Sequence, residues 1–137
     1  MVCVYCGTDT DVINSRPQKR RNSVWRRRHC DNCQAVFTTI EQADLSGALR
    51  IQRNTKAFEP FVRDKLFLSI YKSCSHRPTA ISDASALTTT VISRLMASTP
   101  PSTAINPITI VNIATVVLQR FDKSAAVHYA AFHPSTP

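Results

Sequence analysis

Two Cys-x-x-Cys pairs constrain this chain more than any other feature: Cys3 with Cys6, and Cys30 with Cys33. Thiolates so spaced close a tetrahedral site around zinc, and a full four-sulfur shell leaves no position open for water. The expected site is therefore structural, with one Zn2+ per chain. Five cysteines occur in all. Cys74 stands alone in a segment of helical periodicity, so the set does not read as a disulfide framework. Redox use of either pair is disfavoured, because neither opens a helix after a buried strand. His29, beside Cys30, is either a competing ligand or a surface histidine near phosphate.

A unit of about 40 residues buries too little surface to fold without such a staple. Between the pairs, residues 16–28 hold seven basic side chains and no acid: Arg16, Lys19, Arg20, Arg21, Arg26, Arg27 and Arg28. The whole chain carries +8, yet from Thr38 onward basic residues exceed acidic ones by only ten to six. A free charge run is usually a solvated face. One held by a metal-closed frame is the electrostatic footprint of a nucleic-acid binder. Arginine suits that task, since its planar fork matches phosphate oxygens and the guanine edge. Trp25 fits either a packing anchor for the arm or a stacking surface for a base. Gly7 follows Cys6, where a tight knuckle favours positive φ. Val12-Ile13 and residues 36–39 are β-prone. With 23 residues between Cys6 and Cys30, these features predict a zinc ribbon bearing a long basic hairpin.

Beyond a connector at residues 40–47, Leu49 to Gln52 reads as a strand and Asn54-Thr55-Lys56 as a turn. Ala57-Phe58 returns as a second strand before Pro60. Val62, Leu66, Ile70 and Cys74 then recur at four-residue steps, with Phe67 and Tyr71 beside them, and Arg77-Pro78 ends that helix. Ser82-Asp83 is the expected start of a second helix, with Leu87, Val91 and Leu95 as its stripe and Ile92 and Met96 alongside. After Pro100-Pro101, Asn106-Pro107 gives a cap and first-position proline for a third helix. Ile110, Ile113, Ala114, Val117, Leu118 and Phe121 form its buried side. A fourth helix, from about Asp122 to Phe132, carries Ala125, Ala126, Val127, Tyr129 and Ala130.

The fold class is thus α+β: a small N-terminal zinc ribbon at residues 1–39, a linker at 40–47, a hairpin with about four helices at 48–133, and a frayed tail at 134–137. Apolar content of 43% suits a globular protein, and no apolar run reaches the roughly 20 residues of a membrane span. No leader peptide is read, and a cytoplasmic location is expected. Only two glycines occur, too few for a phosphate-cradling loop or dinucleotide fingerprint. His29, His76, His128 and His133 sit in no nucleophile or metalloenzyme motif, so an enzyme is not expected.

The ordered string Cys3-x-x-Cys6, Val12-Ile13-x-Ser15-Arg16, Arg26-Arg27-Arg28-x-Cys30-x-x-Cys33 and Phe37-Thr38-Thr39 resembles the NrdR family, bacterial transcriptional repressors of ribonucleotide reductase genes. Glu59-Pro60-Phe61, Lys65-Leu66 and Arg77-Pro78 are similar to that family's nucleotide-sensing domain, the ATP-cone. The resemblance implies that Cys3, Cys6, Cys30 and Cys33 hold zinc, and that Arg16 and residues 26–28 meet double-stranded operator DNA. It further implies that Ile51, Arg53, Asn54, Glu59 and Lys65 line a site for ATP or dATP, which would control a homo-oligomer. The chain departs from the family pattern at Asn14, Trp25, Arg53, Lys56, Ala126 and His128. A zinc-ribbon RNA-binding or assembly factor, with a helical half that binds a protein partner, is the alternative reading.

Overall fold

The computed structural model describes residues 1–53 and 57–134. They divide into two compact units, Met1–Ala43 and the chain from Asp44 onward. The first is an antiparallel sheet of β1 (Asp11–Gln18), β2 (Ser23–His29) and β3 (Val36–Gln42), in that spatial order. A 3-10 turn at Lys19–Arg21 joins β1 to β2 and closes on Asn22 at φ 47°. Asparagine enters that left-handed region more readily than most residues. The β1–β2 register shifts between Val12 and Asn14, leaving Ile13 as a bulge that bends the strand and restarts its alternation. Hydrophobic burial contributes little here. Among the described residues of this unit, Cys3 and Cys30 are the buried apolar side chains, while Ile13, Val36 and Ile40 are exposed.

The second unit opens with one helical turn, α1 (Leu45–Ala48), capped by Asp44, whose carboxylate accepts from Ser46 N at 2.9 Å. Strands β4 (Arg50–Gln52) and β5 (Phe58–Pro60) pair antiparallel, and β6 (Ala104–Ile105) adds to β4 in parallel. The hairpin read from the sequence is therefore two strands of a three-stranded sheet. Pro60 ends the edge strand β5, a place where its missing N–H costs nothing. The expected turn at Asn54-Thr55-Lys56 and residues 135–137 of the expected tail lie outside the described residues. Ile40, Glu41 and Gln42, expected in the connector, extend β3.

Helices α2 (Arg63–Ser73), α3 (Ala80–Ser98), α4 (Pro107–Phe121) and α5 (Lys123–Phe132) follow. Their core is Leu66, Ile70 and Cys74 against Ala84, Leu87, Val91 and Leu95, with Ala114, Val117, Leu118, Ala125, Ala126 and Tyr129. These are the i, i+4 stripes of the sequence, each burying a large side chain at roughly 1.5–3 kcal/mol. Asn106 caps α4 as expected, accepting from Ile108 N at 2.9 Å.

Three expectations are corrected. Helix α3 starts at Ala80, before Ser82, because Asp83 in its first turn is held by Arg77 and Thr79 at 2.8 and 2.6 Å. Val62 lies outside α2 as its N-cap and is exposed. Val127, Ala130, Met96 and Phe121 are also exposed, since α3, α4 and α5 each bury a narrower face than their apolar content allows.

Candidate metal centre and nucleic-acid interface

The two knuckles repeat one local design. In the first, Gly7 N donates to Cys3 O at 3.0 Å and Cys3 N to Thr8 O at 2.7 Å. In the second, Gln34 N donates to Cys30 O at 2.8 Å and Cys30 N to Ala35 O at 3.0 Å. Each turn needs a left-handed residue after its second cysteine, and Gly7 (φ 75°) and Gln34 (φ 60°) supply it. Gln34 offsets some of that strain by donating its amide to Asp31 O at 2.6 Å.

This pairing brings all four sulfurs together within 4.8 Å of one another. Cys3 and Cys33 Sγ lie 3.6 Å apart, and Cys6 and Cys30 Sγ 3.5 Å apart. A tetrahedron with zinc–sulfur bonds of about 2.3 Å has edges of about 3.8 Å, so the four cysteines stand close enough to hold one zinc ion. Their acidities point the same way. The Thr8 hydroxyl and amide beside it, with Asn32, lower Cys6 to about 5. The Ala35 amide favours the Cys33 thiolate, but the thiols of Cys6, Cys3 and Cys30, together with desolvation, outweigh it and push Cys33 up to about 12. One sulfur ionises easily and another resists because the four share hydrogen bonds within one cluster; a divalent cation held there would favour the thiolate form of all four. His29 is not among the clustered ligands. Its Nδ1 lies 3.0 Å from Asp31 Oδ1.

The basic residues do not act as one surface. Cross-strand partners share a face and successive residues alternate, so the register divides the run. Arg26 pairs with Glu41 at 3.0 Å. Arg28 donates Nε to Thr39 Oγ1 at 3.4 Å and Nη1 to Thr10 O and Oγ1 at 3.4 and 3.3 Å. Both arginines therefore bind the ribbon itself. Arg27 and Arg16 lie on the other face and are exposed, with Trp25 half-buried directly opposite Arg16. Lys19, Arg20 and Arg21 form the hairpin tip, all exposed.

In the second unit, the register sets Ile51 opposite Glu59. Glu59 takes Arg53 Nη1 on Oε1 at 3.1 Å and lies 3.8 Å from Lys65 Nζ through Oε2. Four of the five residues that the resemblance implied thus gather at one end of the β4–β5 hairpin. Ile51 is partly buried against the core, and the charged heads lie toward solvent. Asn54 lies outside the described residues.

One cluster went unread in the sequence. Arg77, just past α2, reaches Asp83 of α3 and, at 3.1 Å, Asp122 between α4 and α5, while its guanidinium lies 4.6 Å over the Phe121 ring. Asp122 also caps α5 through Ala125 N and meets His76 at 3.2 Å, and these contacts hold its pKa down at about 2. Buried Cys74 lies above the usual thiol range because of burial and these carboxylates. The sequence marked Arg77-Pro78 only as a helix stop, and α2 in fact ends earlier, at Ser73 with Cys74 as its C-cap; the ion pairs of Arg77 join segments distant in sequence.

The model for the N-terminal domain of NrdR-like transcriptional repressors matches residues 1–41. The protein named Transcriptional repressor NrdR of Tropheryma whipplei (strain Twist) is 33% identical over 134 residues, spanning 97% of this chain and 87% of its own. Its namesake in Lachnoclostridium phytofermentans is 36% identical over 88 residues, 64% of this chain. A third, from Symbiobacterium thermophilum, is 37% identical over 78 residues, 57% of this chain. The match to these last two spans little more than half their lengths, 57% and 51%. No helix among the described residues is long and apolar enough to cross a membrane.

Proposed function

This chain belongs to the NrdR family, and from that premise we propose that it is a non-enzymatic, nucleotide-responsive repressor of ribonucleotide reductase genes. The ribbon binds double-stranded operator DNA, and the unit from residue 48 to about 133 binds ATP or dATP and sets the state of a homo-oligomer. The observation that carries the DNA half is the basic hairpin fixed on a four-sulfur cluster: Arg16, Lys19, Arg20, Arg21 and Arg27 are held out in the order the fold dictates. Several such charges neutralising phosphates make affinity fall steeply with salt.

The nucleotide half is supported by the gathering of Ile51, Arg53, Glu59 and Lys65. A base packs against Ile51, while Arg53 and Lys65 exchange Glu59 for phosphate oxygens, which accept stronger charge-assisted bonds. Asn54 completes the set by its position in sequence. Association of copies is supported by exposed apolar side chains on the helices, Val127 at 72% and Phe132 at 71%.

The test is a size measurement in ATP and again in dATP, joined to binding of duplex DNA taken from upstream of the host's reductase genes. A change of size between the two nucleotides and a preference for that duplex over a scrambled one are expected. Failure of both nucleotides to bind sinks the sensing half. Equal affinity for operator, scrambled duplex and RNA sinks the repressor half.

A further inference from the structure

We propose that one face of the ribbon's sheet reads base edges in the major groove of duplex DNA through Asn14, Arg16 and Gln18 of β1 and Arg27 of β2. The opposite face holds the ribbon together. This rests on the DNA-binding reading above and goes further, assigning readers to a face and a base type to each.

After the bulge at Ile13, β1 alternates regularly, so Asn14, Arg16 and Gln18 point the same way. Their cross-strand partners are Arg27, Trp25 and Ser23, which places Arg27 and Trp25 on that face too. Among the described residues, Asn14, Arg16, Gln18 and Arg27 make no side-chain hydrogen bond or ion pair, and Ser23, the small centre of its row, is buried. Arg26 and Arg28, on the reverse face, spend their donors on Glu41, Thr39 and Thr10. Along β1, the first acid sharing the reading face is Asp11, at the far end of the strand opposite His29. The free donors, and the absence of acid from Asn14 to Gln18, both mark this face for an anionic partner with polar edges.

Geometry gives the spacing. Residues two apart on a strand advance about 6.8 Å, close to two base-pair steps of about 3.4 Å. The edge strand β1 and its neighbour β2 carry these side chains on one face of the three-stranded sheet; β-sheet readers of DNA lay strands in the major groove, where arginine pairs with guanine O6 and N7, and asparagine or glutamine with adenine N6 and N7. Arg16 therefore takes a guanine, and Asn14 and Gln18 take adenines about two base pairs to either side. Lys19, Arg20 and Arg21, at the tip, fall to the phosphates, which position the ribbon without specifying sequence. Trp25 lies in the row of Arg16, half-buried, and flanks the reading positions.

The experiment is selection from a random duplex library with the zinc-loaded full chain, in ATP and in dATP, using the wild type, Arg16→Ala, Asn14→Ala, Gln18→Ala and Arg26→Ala. Zinc per chain is measured on each. Arg16→Ala is expected to keep its zinc and lose discrimination at one guanine by roughly 5- to 150-fold. Asn14→Ala and Gln18→Ala each relax one flanking adenine, and Arg26→Ala selects the wild-type site. If Arg16→Ala enriches an unchanged site, or Arg26→Ala relaxes a base, the face assignment falls while the repressor reading stands. If the wild type enriches no site, or prefers an RNA hairpin to duplex, the repressor reading itself fails and takes this assignment with it.

Discussion

The two units solve the same problem by opposite means. The ribbon has almost no apolar interior: its buried hydrophobic residues are two of the four clustered cysteines, Cys3 and Cys30, and aliphatic side chains such as Ile13 and Ile40 face out. The unit from Asp44 onward packs Ile70, Val91, Leu95, Ala114 and Leu118 at 0% exposure. One is closed by coordination and the other by exclusion of water. The difference frees the ribbon's faces for polar and charged residues, since no sheet face has to be covered. The helical unit instead places its charged set at a hairpin end and at helix junctions.

Losing the metal is the largest way to break this contrast. Structural zinc contributes roughly 10–16 kcal/mol of apparent binding energy, so chelation or Cys30→Ser is expected to unfold residues 1–43 alone. Trp25 is the chain's only tryptophan, so its fluorescence reports the ribbon while far-UV helicity reports the second unit. A single transition seen by both probes would mean the two units are not independently held. Next in size is Leu118→Ala, expected to cost about 2–5 kcal/mol in the helical unit and to leave zinc per chain unchanged. Metal loss in that variant would show the ribbon leaning on the core.

Acid separates them more gently. Asp122 has its carboxyl lowered from 3.8 to about 2 by the Ala125 amide, His76 and Arg77. Its folded pKa lies below its unfolded one, so its stabilisation is complete above about pH 4 and disappears as pH falls toward about 2. Helical melting temperature should drop through that window, and Asp122→Asn should flatten that part of the profile. A wild-type profile without the drop would remove Asp122 from the account. The smallest effects lie in the knuckles. Gly7→Ala, at φ 75° with open space around its Cβ, is expected to weaken zinc binding by about 1 kcal/mol from strain alone. Gln34→Gly relieves a similar strain but loses the bond to Asp31 O, so its change should be under about 1 kcal/mol. Equal losses from both changes would show that the knuckles are not the repeats they resemble.

Much of this was legible because the signals are local. Cysteine spacing picked out the four sulfurs that the fold brings together, Asn106-Pro107 marked the start of α4, and four-residue steps found the buried stripes of α2 and α3. Misses share a cause, which is dependence on partners distant in sequence. Two residues, Ala104 and Ile105, carry no strand periodicity, and β6 exists because β4 offers an edge. Helix α3 begins before Ser82 because Arg77 and Thr79 capture Asp83. The arginine run read as a basic hairpin arm; only the bulge and the register show that it alternates between positions bonded to the ribbon and outward-facing ones. The gathering of Arg53, Glu59 and Lys65 came from the family likeness, since the charges alone fit a solvated surface.

The order β5–β4–β6 sets a timetable for assembly. β4 and β5 are close neighbours in sequence, and a pairing so local closes on the order of microseconds. β4 meets β6 only after about fifty residues of intervening helix have been laid down, and such non-local pairing is slow because its loop entropy must be met first. The hairpin bearing Arg53 and Glu59 can thus form early, while the strand that braces Ile51 from the other side arrives last. Refolding should show a fast phase that pairs the hairpin and a slower one that completes the sheet.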